Sequence, residues 1–193
     1  MLKMTGIKLE LMSDVDQYQF IEKGMRGGIS YIANRHLEAN NPYIEGYNSK
    51  KPNKYILCLD ANNLYGWAMS QCLPTGSFKW LTPNQINELD IHSLDPEAGK
   101  DLILEVDLEY PHELHVLHND YPLAAEKMKV TKDRLSPYCR KIQEKYNVSI
   151  GQVNKLVPTL ANKEKYVLHY RNLQLYMSLG LRLKTIYRAY EFN

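Results

Sequence analysis

The alternation of apolar and polar positions predicts a chain that contains both strands and helices. Residues 102–110 end in alternating apolar and acidic side chains, which is typical of a half-buried strand. Residues 181–190 alternate again, with basic polar positions, and predict a strand that has one basic face. Shorter strands are predicted over 55–59, 78–81 and 165–170.

Helical spacing and cap residues predict the elements between these strands. Helices are predicted over 14–22, 63–71, 82–89, 131–146 and 172–179. Pro137 interrupts the fourth helix, and Gly180 ends the last one. The expected fold class is α+β, with an antiparallel-leaning sheet and helices on one side of it.

An apolar run that ends in a carboxylate is the most informative segment. Residues 55–59 are mostly aliphatic or aromatic and predict a buried strand, and Asp60 follows them directly. Asn63 is a favourable N-cap for a helix whose apolar positions 64, 67 and 68 share one face. A carboxylate at the end of a core strand needs a cation partner, and Mg²⁺ is one that suits oxygen ligands. The alternative is that Asp60 caps the helix or pairs with a nearby lysine.

Residues 60–66, D-A-N-N-L-Y-G, resemble motif A of family B DNA polymerases, usually written D-x-x-S-L-Y-P. The resemblance is closest to the protein-primed branch, and within it to the polymerases of Polinton (Maverick) transposons. Asn63 stands where that motif has Ser, and Gly66 where it has Pro. Further resemblances follow the family's order: M-R-G-G-I-S at 25–30 to its Y-x-G-G element, and the stretches 67–81, 112–124 and 164–181.

The resemblance implies a role for each residue of the motif. Asp60 would be one of two carboxylates that hold two Mg²⁺ ions, and the carbonyl of Ala61 a further ligand. Asn63 and the amide of Leu64 would face the incoming deoxynucleoside triphosphate. Tyr65 would pack under the deoxyribose and exclude ribonucleotides. From the residues alone, the alternatives are that Asn63 is an ordinary N-cap and that Tyr65 is a core aromatic.

The Gly-rich segment after the first helix is the first candidate DNA contact. Arg26, Gly27 and Gly28 would let the backbone approach a DNA strand closely, as the Y-x-G-G element does with template. Met25 replaces the tyrosine of that element. The alternative is a turn that only terminates the helix.

The charge distribution gives the second candidate contact. Residues 121–193 contain 14 Lys and Arg and 5 Asp and Glu, a net +9, while residues 1–120 contain 10 and 17, a net −7. Lys127, Lys129 and Lys132 are expected to contact phosphates, together with the basic face of the last strand at 182–188. The alternatives are a solvated surface and two oppositely charged parts that attract each other.

The spacing of the histidines and cysteines gives one weak candidate zinc site and no disulfide framework. His112, His115 and His118 have a spacing that could hold zinc, although Pro111 favours a loop of exposed histidines. Three distant cysteines favour reduced thiols in an intracellular protein. Residues 1–6 lack the apolar region of a secretory signal, so the protein is expected to be nuclear or cytoplasmic and not secreted. No apolar run is long enough to span a membrane.

The resemblance also predicts an organisation into four segments of a partial polymerase palm. Residues 1–50 would be an exonuclease–palm junction, 51–90 the motif A region, 91–170 an insertion like the terminal-protein-region subdomain, and 171–193 a return to the palm. The family's motifs B and C are absent, so the chain is expected to be a fragment. The expected partners are DNA primer-template and deoxynucleoside triphosphates, with a terminal protein primer as a further candidate. The alternative function is a non-catalytic nucleic-acid-binding or structural remnant of a transposon polymerase.

The purified chain should show no polymerase activity by itself, because it supplies one of the two carboxylates that the two-metal arrangement needs. Primer extension with Mg²⁺ and deoxynucleotides measures this. Extension that the substitution Asp60→Asn abolishes would contradict the prediction.

Overall fold

A four-stranded antiparallel sheet, with strand order β1-β6-β2-β5, organises the larger part of the chain. A computed structural model describes residues 2–149 and 153–193. The chain divides into two units, one of residues 1–30 and 75–193 and one of residues 31–74. The strands, all in the first unit, are β1 (Lys79–Trp80), β2 (Asp101–Glu109), β3 (Glu126–Met128), β4 (Lys155–Val157), β5 (Lys163–His169) and β6 (Arg182–Phe192).

The helices in the described ranges are α1 (Leu2–Thr5), α2 (Val15–Gly24), α3 (Leu64–Ser70), α4 (Pro83–Asn87), α5 (Pro137–Tyr146) and α6 (Tyr170–Ser178). Five of these six helices overlap a predicted helix, whereas α1 was not predicted. Short 3-10 turns occupy Ile91–Ser93, His112–Leu114 and Lys132–Arg134. None of the helices in the described ranges is long and apolar enough to cross a membrane.

Local cap chemistry explains where several helices begin and end. Thr82 and Gln85 form a complete capping box at the start of α4. Pro137 is the first residue of α5, with Ser136 as its N-cap, so the prediction that Pro137 interrupts a longer helix is wrong. Proline is favourable at that position because its missing N–H has no intrahelical acceptor there. Gly180 ends α6 with a φ of 103°, a conformation that side chains other than glycine rarely adopt.

The sheet is covered on both faces, and the prediction of helices on one side is wrong. Leu104, Val106 and Leu108 of β2 are at most 1% exposed and pack on one face with residues of α6. The opposite face carries an aromatic cluster of Phe20, Phe78, Trp80, Tyr190 and Phe192, in which Phe20 belongs to α2. The alternating burial of β2 arises because successive side chains of a strand point to opposite faces.

A two-stranded sheet of β3 and β4 was not predicted, because three-residue strands carry no usable periodicity. Lys163 of β5 connects it to the main sheet. Its buried Nζ donates to the Glu126 carboxylate at 3.0 Å and to Thr159 Oγ1 at 2.7 Å. Burial lowers the pKa of Lys163, and the ion pair with Glu126 opposes that shift. The two partners compensate each other's charge where a lone ammonium would be costly.

Strand pairing brings some acidic residues of the first part of the chain into contact with basic residues of the last part. Glu105 of β2 lies opposite Arg188 of β6, and their side chains form two hydrogen bonds of 2.8 and 3.1 Å. Glu109 of β2 lies opposite Arg182 and also accepts a hydrogen bond from the Lys184 ammonium, which lowers the pKa of Glu109. An acidic strand therefore pairs with a basic one, in agreement with the alternative that two oppositely charged parts attract each other.

The smaller unit, residues 31–74, contains no strand, and the predicted strand at 55–59 is wrong. Tyr55, Ile56, Leu57 and Leu59 are between 57% and 87% exposed. A strand needs a neighbour for its backbone N–H and C=O groups, and the β-pairing within this unit is a single bridge between Asn40 and Lys54. The neighbouring helix, α3, forms as predicted. The four predicted segments remain predictions.

Replacing Leu104 with Ala should lower the free energy of unfolding by about 2–5 kcal/mol, because the cavity in the sheet core cannot refill. Leu59→Ala makes the same chemical change at a side chain that is 87% exposed, and should change it by less than about 0.5 kcal/mol. Chemical denaturation measures both. Equal reductions would show that residues 55–59 are buried in solution.

Acid should weaken the fold through Asp107. The Tyr187 hydroxyl donates to this carboxylate at 2.7 Å and the Lys165 N–H donates at 2.8 Å, and both contacts lower its pKa. The stability that they contribute is fully present above the unfolded-state pKa of about 3.9 and is lost as the pH falls through the lower folded-state value. Tyr187→Phe removes the larger cause and should reduce this pH dependence. Denaturation midpoints between about pH 2 and 6 that fall equally in both proteins would contradict the assignment.

Candidate active site and nucleic-acid surfaces

Asn63 begins the helix that follows the motif aspartate. Its backbone is left-handed, with φ 50° and ψ 44°, and its carbonyl accepts the Trp67 N–H at 3.0 Å. Asparagine tolerates this conformation better than most residues do. Its side chain makes no cap hydrogen bond, so Asn63 holds the N-cap position without the usual N-cap bond.

Gly66 makes room for the Asn63 side chain. A Cβ at position 66 would collide with the carboxamide of Asn63. The two departures from the D-x-x-S-L-Y-P pattern are therefore in contact with each other. A larger residue at 66 would turn the Asn63 carboxamide away from its present position.

The remaining motif residues lie within one turn of this helix start and are open to solvent. Asp60 and Ala61 are exposed in irregular backbone, and Leu64 is 55% exposed. Tyr65 is 85% exposed, so the alternative of a core aromatic is wrong. The arrangement leaves a carboxylate, a carbonyl, an amide side chain and a phenol accessible on one short segment.

The donor set suits one side of a magnesium site. Mg²⁺ is commonly held by one or two carboxylates with substrate phosphates and water completing its shell, and Asp60 with the Ala61 carbonyl supplies that kind of ligand. Among the described residues, no group of three or more His, Cys, Asp or Glu side chains converges as a metal site.

The histidine segment is organised around a tyrosine. Tyr110 Oη lies 2.8 Å from His118 Nδ1 and accepts the Leu123 N–H at 3.2 Å. His112 is exposed, whereas His115 and His118 are half-buried. The Nδ1 atom of His118 is therefore engaged in a hydrogen bond with Tyr110, and this contact helps to hold the loop in place. The three cysteines are free and exposed.

The Arg26 side chain makes structural contacts within the larger unit. Its guanidinium donates to the carbonyls of Val167 at 2.6 Å and Gly24 at 3.1 Å, and lies 3.8 Å from the centre of the Tyr166 ring. It thereby joins the end of α2 to the edge strand β5. Gly27 and Gly28 are exposed, and a Cβ at either position would meet nothing within 4 Å. Packing within the described chain therefore leaves both glycines free for another contact.

Two of the three candidate lysines line one cavity. Lys129 and Lys132 border a cavity of about 850 Å³ together with Arg140 of α5. Arg140 is fixed by a 2.9 Å hydrogen bond to the Asp133 carbonyl. Sequence reasoning missed Arg140, because a helix interrupted at Pro137 gives position 140 no defined orientation. Lys127 borders a different cavity, of about 390 Å³, together with Arg26.

The basic face of the last strand is neutralised by its neighbours. Arg182 contacts Glu113 at 2.8 Å and Glu109 at 3.8 Å, and Lys184 and Arg188 pair with Glu109 and Glu105. A cation that already has a carboxylate partner gains less from a phosphate. The expected phosphate contacts at 182–188 are therefore weaker candidates than Lys129 and Lys132.

Comparison with known proteins gives no assignment: no family model, curated protein or solved structure matches this chain.

The salt dependence of DNA binding should separate the two sets of cations. Replacing Lys127, Lys129 and Lys132 with Ala should flatten the slope of log affinity against log salt by about 0.7 to 0.9 for each phosphate that is no longer neutralised. Arg182→Ala with Lys184→Ala should leave that slope nearly unchanged, because these cations are paired with carboxylates. Anisotropy titrations of a labelled oligonucleotide at several salt concentrations measure both slopes. Equal flattening by both sets of substitutions would show that the cations of β6 also contact DNA.

Proposed function

We propose that this chain is part of a DNA-directed DNA polymerase of the family B type, which extends DNA from deoxynucleoside triphosphates during replication of a mobile or viral-like element. The observation that carries the proposal is the D-A-N-N-L-Y-G segment at the start of α3, with Asp60 and Tyr65 both exposed. A catalytic aspartate and a sugar-contacting tyrosine must be accessible to a nucleotide, and these two side chains are.

Each motif residue has a role in this proposal. Asp60 and the Ala61 carbonyl would hold Mg²⁺, which when bound supplies positive charge to the phosphates. Asn63 and the Leu64 N–H would orient the triphosphate; this N–H has no acceptor within the helix. Tyr65 would pack beneath the deoxyribose, where a 2′-hydroxyl would collide with its ring.

The antiparallel sheet of the larger unit supports the finer part of the proposal, a palm-type sheet with an inserted small subdomain. Its four strands come from three of the four segments: residues 79–80 belong to the second, residues 101–109 and 163–169 to the third, and residues 182–192 to the fourth. The β3–β4 sheet lies between β2 and β5 in the chain. Lys129, Lys132 and Arg140 would contact the phosphates of primer-template DNA.

A second candidate is a non-catalytic nucleic-acid-binding or structural remnant of such a polymerase. The irregular, exposed backbone at 55–60 favours it, because the aspartate of motif A is expected at the end of a sheet strand. A nucleotide-binding measurement separates the two candidates.

Binding of a fluorescent deoxynucleoside triphosphate to the complete gene product should require Mg²⁺ and should be lost in Asp60→Asn. Asp95→Asn removes the same charge from an exposed turn and should bind like the unmodified protein. In primer extension, Tyr65→Ala should increase the use of ribonucleotides relative to deoxynucleotides. Binding that is unaffected by Mg²⁺ and by Asp60→Asn would favour the non-catalytic candidate.

A further inference from the structure

Residues 40–55 form a loop that is held by asparagine side chains, and we call it the asparagine loop. The backbone of Asn40 pairs with that of Lys54 through hydrogen bonds of 3.0 and 2.7 Å, which closes the loop. The Asn40 amide nitrogen lies 3.1 to 3.3 Å from the carbonyls of Asn48, Lys51 and Pro52. Its amide oxygen accepts the Asn48 N–H at 2.9 Å. One side chain thereby fixes the backbone at several places around the loop.

Asn41 completes this framework. Its amide donates to the Lys54 carbonyl at 3.0 Å and accepts the Tyr43 N–H at 3.1 Å, and the residue is only 5% exposed. Tyr47 adds a 3.3 Å hydrogen bond to Asn53. Polar side chains thus replace the apolar core that organises the larger unit, and the loop has a defined shape.

The exposed side chains of this loop include tyrosines and lysines that have no carboxylate partner among the described residues. Tyr43 is 88% exposed, although tyrosine usually buries most of its ring. Lys50, Lys51 and Lys54 form no ion pair within the described part of the chain, in contrast to the paired cations of β6. Glu45 is the one carboxylate in residues 40–55.

This combination fits one class of partner. Proteins bind single-stranded nucleic acid by stacking bases on aromatic rings while basic groups track the phosphates. In a duplex the bases are stacked on one another, so their faces are not accessible to an exposed aromatic ring. A fixed loop also loses little conformational freedom on binding, which favours affinity.

We propose that the asparagine loop binds single-stranded nucleic acid, with Tyr43 stacked on a base and Lys50, Lys51 and Lys54 contacting the flanking phosphates. This surface shares no residue with the cavity at Lys129 and Lys132, and it requires neither Mg²⁺ nor a nucleoside triphosphate. It therefore stands whether or not the chain belongs to a polymerase.

The test is an anisotropy titration of the full chain with fluorescent oligo(dT) and with a blunt hairpin duplex. Tyr43→Ala should weaken oligo(dT) binding about tenfold, as loss of one stacked base does, and leave the hairpin unaffected. Tyr121→Ala, which truncates another tyrosine that is 72% exposed, should change neither. Lys50→Gln with Lys51→Gln should reduce the salt slope for oligo(dT), whereas Lys3→Gln with Lys8→Gln removes the same charge elsewhere and should not.

Photocross-linking of the unmodified chain tests the same contact without any substitution that could disturb folding. An oligo(dT) that carries 5-iodouracil should cross-link to the peptide containing Tyr43. Cross-links confined to residues 121–193, or a Tyr43→Ala variant that is folded by circular dichroism and binds oligo(dT) with unchanged affinity, would overturn the proposal.

Discussion

The pairing of β2 with β6 is the interaction on which the larger unit depends. It joins residues 101–109 to residues 182–192 and forms the centre of the four-stranded sheet. Leu104 and Val106 are fully buried on one face of this pair, and Tyr190 is fully buried on the other. The edge strands β1 and β5 pair with β6 and β2, and α6 and α2 pack on the two faces of the resulting sheet.

The same pairing decides which charges remain available to a partner. Glu105 and Arg188 meet across the two strands, and the Arg188 guanidinium also lies 4.8 Å from the Phe20 ring centre. The basic residues of β6 are therefore part of the sheet's own structure. Cations that can meet a phosphate lie elsewhere, at Lys129 and Lys132 and in the asparagine loop.

The two units are stabilised by different physical means. The larger unit buries apolar side chains on both sides of a sheet. In residues 31–74 the side-chain amides of Asn40 and Asn41 satisfy the backbone directly, and apolar residues such as Tyr43 and Leu59 remain exposed. Hydrophobic burial contributes little to such a unit, so its exposed aromatic and aliphatic groups are available for contact with a nucleic acid or with another polypeptide segment.

The sequence by itself determined the elements that depend on neighbouring residues. Thr82 and Pro83 start a helix and Gly180 ends one through local hydrogen bonds and backbone preferences, and the alternation at 102–110 marks a strand with one buried face. Within the candidate site, Asn63 at the start of α3 was predictable for the same reason. The tertiary structure alone decided which apolar run became a strand. Residues 163–169 pair with β2, whereas residues 55–59 have no strand partner within their own unit. It also decided that the cations of β6 face carboxylates of β2, because strand register joins residues about 80 positions apart and no local pattern encodes it.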